Sequence, residues 1–280
     1  MNGQTAQLGF YYQNLYCIYL ILTSLQDKIN KVYIDFSLNK LKPGLRSKKE
    51  VDIIIEIKKD NENKWRFYEV KSGLEFTRSD LKIKESILTL FEVFKKFSDS
   101  PFSYFLIIHP GYSSKITEVI FKIKKIRETK RKSKVLKEIC EKWKITNEEL
   151  FLNFCKKLEI NSENDLDKLK LLCLGKIEEY IKEMIFNPNY ALTKEDLLNR
   201  FIHLIFFSIA TNEGIINIED FLKEFANWCA INEVAYQTSQ NHKPKEMIEE
   251  AKRKFLKKFQ QYSDTPLLIE ENINTLISEK

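Results

Sequence analysis

The sequence predicts an α/β unit of about 110 residues followed by an all-helical region. Three observations carry that reading. Four apolar runs between residues 31 and 109 have the length and composition of strands, with helical stretches before the first and before the last. Beyond residue 114 the apolar pattern is that of successive amphipathic helices. Gly and Pro number only 7 and 6 in 280 residues, against average usage of roughly 7% and 5%, so few turns interrupt long helices.

Each element has its own signal. "LGFYYQNLYCIYLILTSLQD" is apolar at helical spacing and ends at Gln26–Asp27, which predicts a mostly buried helix. "KVYIDFSL" alternates, with Val32, Ile34, Phe36 and Leu38 on one face and Asp35 and Ser37 on the other. "LKPGLRSKK" is a Pro-Gly loop, and "EVDIIIEI" is a β-branched strand buried on both faces. "KKDNEN" is turn chemistry before the strand "KWRFYEVK". Ser79 or Asp80 can cap the helix "LKIKESILTLFEVFKKF". "SYFLIIHPG" is a fourth strand, stopped at Pro110–Gly111. The later helices break around "NSEND", "NPNYALTKED" and "NEGIINIED", the last with Glu219–Asp220 opening a new helix. "KPKEMIEEAKRKFLKKFQQY" is a final charged helix. The expected division is therefore 1–114, 115–230 and 231–280.

"WRFYEVKSG" holds the chemistry. Side chains two apart on a strand share a face, so Glu69 and Lys71 stand together. Glu-x-Lys occurs five times here, but only this one ends a buried-type strand. If the preceding turn centres on Asp60–Asn61, Asp52 faces Glu69 across the hairpin, with Cβ atoms about 5 Å apart. Opposed carboxylates repel unless a cation lies between them. Lys71 answers that in part, as a structural ion cluster, and a divalent metal answers it fully. Mg²⁺ suits one or two carboxylates plus substrate phosphate, and Mn²⁺ can substitute. Such a metal activates water and stabilises phosphate charge, with Lys71 placing or deprotonating that water. The three residues together can hydrolyse a phosphodiester.

Asp52, a hairpin and "EVK" in an α-β-β-β-α-β order resemble the PD-(D/E)xK nuclease superfamily, whose restriction-endonuclease-like core is a mixed sheet flanked by helices. "GFYYQ", "VDIII", "YEVKSG", "FTRSDL" and "FLIIHPG" are similar to the double-stranded-DNA endonuclease domain of bacterial anti-phage effectors. Those effectors include nucleases fused to cyclic-oligonucleotide sensors in CBASS and the nuclease subunits of Lamassu-type systems. "LFLNFCKKLEI" and "NEGIINIEDFLKEF" resemble the region following that nuclease, so the likeness spans roughly residues 3 to 230. It implies Asp52, Glu69 and Val70 as metal ligands, Lys71 as the catalytic lysine, and Gln13 as a first-helix residue of the catalytic site. One departure stands out. Superfamily members often place an acid on the first helix, and this chain has none before Asp27. Either Gln13 takes that place or two carboxylates suffice, with Glu50 a candidate third.

Composition bounds the rest. Hydrophobic content of 43% with 31% charge fits a globular protein. Five cysteines without CxxC spacing read as reduced and buried, which suits the cytoplasm. The longest apolar run, about Leu15 to Leu22, is too short to span a bilayer. No His/Cys spacing suggests zinc, His109 reads as a structural histidine and His203, within the apolar "FIHLIFF", as core, and no Gly-rich loop suggests ATP. From Lys115 to Lys144 twelve Lys or Arg face four Glu, either a DNA-tracking surface or a solvated helix face. Only helices and about 50 residues follow the resemblance, too few for a sensor. The expectation is therefore an Mg²⁺-dependent DNA endonuclease of Lamassu type, restrained until an SMC-like partner or homo-oligomerisation releases it. The alternatives are an inactive nucleic-acid-binding scaffold, or a restriction or repair nuclease.

Overall fold

A computed structural model describes residues 3–37, 50–59, 62–71, 80–97, 104–109, 114–128, 133–162, 165–182, 192–237 and 244–267. Helix α1 (Gly3–Ser24) runs into a 3-10 turn (Leu25–Asp27) and strand β1 (Ile29–Ser37). Strands β2 (Glu50–Lys59) and β3 (Glu62–Val70), helix α2 (Asp80–Phe97) and strand β4 (Tyr104–His109) follow in the predicted order. Helices α3 (Ser114–Glu128), α4 (Lys134–Trp143) and α5 (Glu148–Lys157) come next. After them the chain makes β5 (Leu158–Ser162), α6 (Leu166–Lys182), α7 (Lys194–Thr211) and β6 (Ile215–Asn217). Helices α8 (Ile218–Gln237) and α9 (Pro244–Phe259) complete the described chain. The proposed cap at Ser79 and the stop at Pro110–Gly111 lie outside the described residues.

The strands form one mixed sheet in the order β5-β4-β3-β2-β1-β6. Strands β1, β2, β3 and β6 pair antiparallel, whereas β4 lies parallel to both β3 and β5. The β2–β3 ladder runs from Ile53↔Tyr68 to Lys59↔Glu62, the register expected from a turn at Asp60–Asn61. The region expected to be all-helical corrects that expectation, because it supplies both edge strands. "LEINS" and "IIN" are too short to carry a period of their own, and the sheet edges recruit them.

Two cores sandwich the sheet. Val32, Ile34, Ile53, Ile55, Tyr68 and Val70 face α1, α6, α7, α8 and α9. Tyr33, Phe36, Val51, Ile54, Phe67 and Phe105 face α2, α3, α4 and α5. Helix α1 is apolar nearly all round because the sheet lies under it and α6 and α7 cover it. Tyr12 and Tyr16 are core. All five cysteines are free and buried, and burial raises every thiol pKa, which leaves them unreactive. His203 is a correction: it is exposed on α7, not core.

Alternation fails at Asp35. Ile34 packs in the first core, but Phe36 packs in the second. The expected common face is overturned by Asp35, whose φ of 47° lies in the left-handed region and turns the strand over. Strand β2 switches face at the same level, between Val51 and Ile53. The β1–β2 register, Ile34↔Ile53 and Phe36↔Val51, sets Asp35 opposite Asp52.

Candidate metal centre

The sheet brings four of the expected residues to one end of the β2–β3 pair. Extending the ladder by one step sets Asp52 opposite Glu69, as the hairpin arithmetic required. Lys71 donates to both: its Nζ lies 2.7 Å from Asp52 Oδ2 and 2.9 Å from Glu69 Oε2. The Val70 N–H also donates to Asp52 Oδ2, at 2.7 Å. Gln13 reaches the same place from α1, where its Nε2 donates to the Asp52 carbonyl oxygen at 3.2 Å. Val70, expected among the metal ligands, has an apolar side chain and a spent N–H, so its carbonyl is the only donor it can offer. Glu50 opens β2 exposed and opposite Ser37, and its charge reaches Asp35, where it adds to the rise of that carboxyl's pKa.

Electrostatics divide the group. Glu69 is 4% exposed, and burial pushes its carboxyl pKa up. The Asp52 charge adds to that rise, while Lys71 and, least, the Ser86 hydroxyl on α2 oppose it. Lys71 is partly desolvated, yet the Glu69 and Asp52 carboxylates outweigh that and raise its pKa. It is therefore an ammonium. In this state it orients and stabilises charge rather than removing a proton, which narrows the role expected for it. Asp35 joins the cluster unannounced by its alternation: its Oδ1 accepts from Gln13 Nε2 at 2.7 Å. Burial raises its pKa, the Gln13 hydrogen bond opposes the rise, and the nearby Asp52 charge adds to it.

The donor set fits Mg²⁺ or Mn²⁺ on one observation. Glu69 Oε1 is buried without a well-formed hydrogen bond, as is the Oγ of Ser86, the hydroxyl that acts on this carboxylate. Among the described residues no three His, Cys, Asp or Glu side chains converge as a ready-made metal cage. Asp52 and Glu69 are thus the carboxylate donors, and Mg²⁺ characteristically keeps several waters beside one or two such groups. A cation there would also hold Glu69 ionised.

The described part of the basic stretch lies mainly on α3 and α4. Ile120, Ile123, Ile126, Leu136 and Ile139 are buried, while Lys124, Lys125, Arg127, Lys137 and Lys142 are exposed. No described helix is long and apolar enough to cross a membrane.

No protein-family model and no curated protein matches the chain. Solved structures do. The fold is similar to that of an Acinetobacter baumannii Cap4 SAVED/CARF-domain containing receptor, with 18% identity and a TM-score of 0.51, over 89% of this chain and 48% of that one. The same receptor with the cyclic trinucleotide 3'3'3'-cAAA matches at 19% identity and a TM-score of 0.50, over 89% and 47%. The chain spans about half the length of these receptors. At this identity the likeness is one of fold: an α/β architecture with a six-stranded mixed sheet between helical layers.

Proposed function

We propose that the chain is a divalent-metal-dependent endonuclease of the PD-(D/E)xK kind that cleaves double-stranded DNA as an effector of anti-phage defence. The observation that carries this reading is the Asp52–Glu69 pair bridged by Lys71, with Glu69 Oε1 left unpaired in a buried setting. A divalent ion held by Asp52 and Glu69 supplies charge for the phosphate and acidity for a bound water. Lys71 offsets the repulsion between the two carboxylates and offers a cation to the charge that develops on the phosphate. Gln13 braces the backbone of Asp52. The exposed lysines of α3 and α4 suit a duplex backbone. Nothing among these groups reads bases, so restraint is needed, and an SMC-like partner in a Lamassu-type system or self-assembly would provide it.

The fold likeness to a receptor that binds a cyclic trinucleotide favours a second reading, in which this chain senses such a ligand. Plasmid cleavage by wild type and Lys71→Ala, with Mg²⁺, Mn²⁺ or EDTA and up to high protein concentration, separates the possibilities. Metal-dependent nicking by wild type alone is expected, with Lys71→Ala reduced at least about a hundredfold and DNA binding nearly unchanged. Equal cleavage by both proteins removes the site assignment. Calorimetric binding of cyclic trinucleotide with no cleavage favours the sensor.

A further inference from the structure

Helix α2 turns an apolar face to the sheet. Ile83, Ile87, Leu90, Phe91 and Phe94 are buried at helical spacing, in the core that Phe67 of β3 also enters. Ser86 belongs to this face by position and is 1% exposed. A hydroxyl in such a place needs a partner. The usual one is local, since a helical serine can bond back to the carbonyl four residues earlier. Ser86 Oγ makes no such bond and is buried without any well-formed one.

Strand β3 supplies what the hydroxyl faces. Glu69 stands two residues on from Phe67, so its side chain leaves the sheet on the same side, toward α2. It is 4% exposed, and the Ser86 hydroxyl acts on its carboxylate. Lys71 occupies Glu69 Oε2 at 2.9 Å, and Oε1 is the atom without a well-formed hydrogen bond. A buried donor and a buried acceptor are thus both left over where one helix meets one strand. A carboxylate oxygen has two lone pairs, so accepting from a hydroxyl leaves room for a cation. A neutral donor also adds no charge to repel that cation.

We propose that Ser86 is a positioning residue of the metal centre, its hydroxyl donating to the Glu69 carboxylate and setting that group's orientation toward the cation. The proposal rests on the metal-dependent reading above. Ligating carboxylates are themselves hydrogen-bonded, and such outer partners orient the donor. Here the partner comes from a separate element, so the seating of α2 on the sheet is coupled to the geometry of Glu69.

The test uses the full chain and Mn²⁺ alone, with affinity read by calorimetry and folding by thermal melts. Ser86→Ala removes only the hydroxyl, and alanine is the better helix former with no polar atom to leave unpaired. It is expected to melt no lower than wild type and to bind Mn²⁺ about ten- to a hundredfold more weakly. Ser86→Thr and Ser86→Val are matched in shape, and the first alone keeps a hydroxyl. Ser86→Thr should bind at least about tenfold more tightly than Ser86→Val. Asp52→Asn, which loses a carboxylate donor, is the reference for an impaired site. Wild-type affinity in Ser86→Ala, with Asp52→Asn impaired, overturns this inference alone. Equal affinity in Ser86→Thr and Ser86→Val, or a loss in Ser86→Ala that accompanies a lower melting temperature, assigns the effect to packing and also overturns it. Wild-type affinity in Asp52→Asn, or absence of Mn²⁺ binding by wild type, removes the metal centre itself.

Discussion

Glu69 is the residue on which the site's electrostatics turn. Its pKa is raised above the usual 4.5 by burial and by Asp52. An acid raised in the folded state contributes full stability below its unfolded pKa and loses it as pH climbs through the raised value. Lys71 stays charged in both states over this range and adds no slope. Metal-free wild type should therefore lose thermal stability between pH 5 and pH 8 relative to Glu69→Gln, whose neutral amide has no such linkage. Thermal melts of both proteins in EDTA at the two pH values check this, and a constant difference would refute it. Much of this residue-scale picture was legible. The β2–β3 register matches the one expected for a turn at Asp60–Asn61, and that register sets Asp52 against Glu69. Asp35 was hidden, because strict alternation assigned it to the face away from Val32 and Ile34, and the sign of φ is not written in residue type. Ser86 was hidden too, as one polar residue inside an amphipathic helix.

At the scale of elements, β6 shows how a three-residue strand governs a distant side chain. Gly214 has φ of 82°, and a Cβ placed there would lie 2.2 Å from the Ile34 carbonyl oxygen. That oxygen belongs to backbone adjoining Asp35, so the neighbour cannot yield without moving the reversal in β1. Gly214→Ala should cost about 2–5 kcal/mol, combining left-handed strain with overpacking, measured by urea unfolding. It should also weaken Mn²⁺ binding, although it touches no donor group. Retention of wild-type stability would show that the turn is slack. "IIN" between helices offers three apolar-to-polar residues and no period, so this strand was legible only as a helix break. "LEINS" was lost the same way. What makes each a strand is an existing partner edge, and that is long-range information.

The whole molecule is a sheet whose centre comes from the first 109 residues and whose two edges come later. The expected order of helix, three strands, helix and strand holds throughout. A fragment of residues 1–114 leaves β1 and β4 as bare edges and exposes Val32, Ile34 and Leu106, which α6 to α9 help to bury. It should aggregate or behave as an expanded state in size-exclusion chromatography, whereas the full chain should not. A compact, soluble fragment would show that the first core is self-sufficient. The placement of the edges also puts the protein on a clock. A ribosome adding about 5–20 residues per second takes on the order of 5–20 s to travel from the end of β4 to β6, roughly a hundred residues. Through that interval the acidic cluster is already synthesised but Gly214, which pins the strand reversal at Asp35, does not yet exist. Each new copy therefore spends several seconds as an unfinished tool, and gains its final geometry only once β6 has been made.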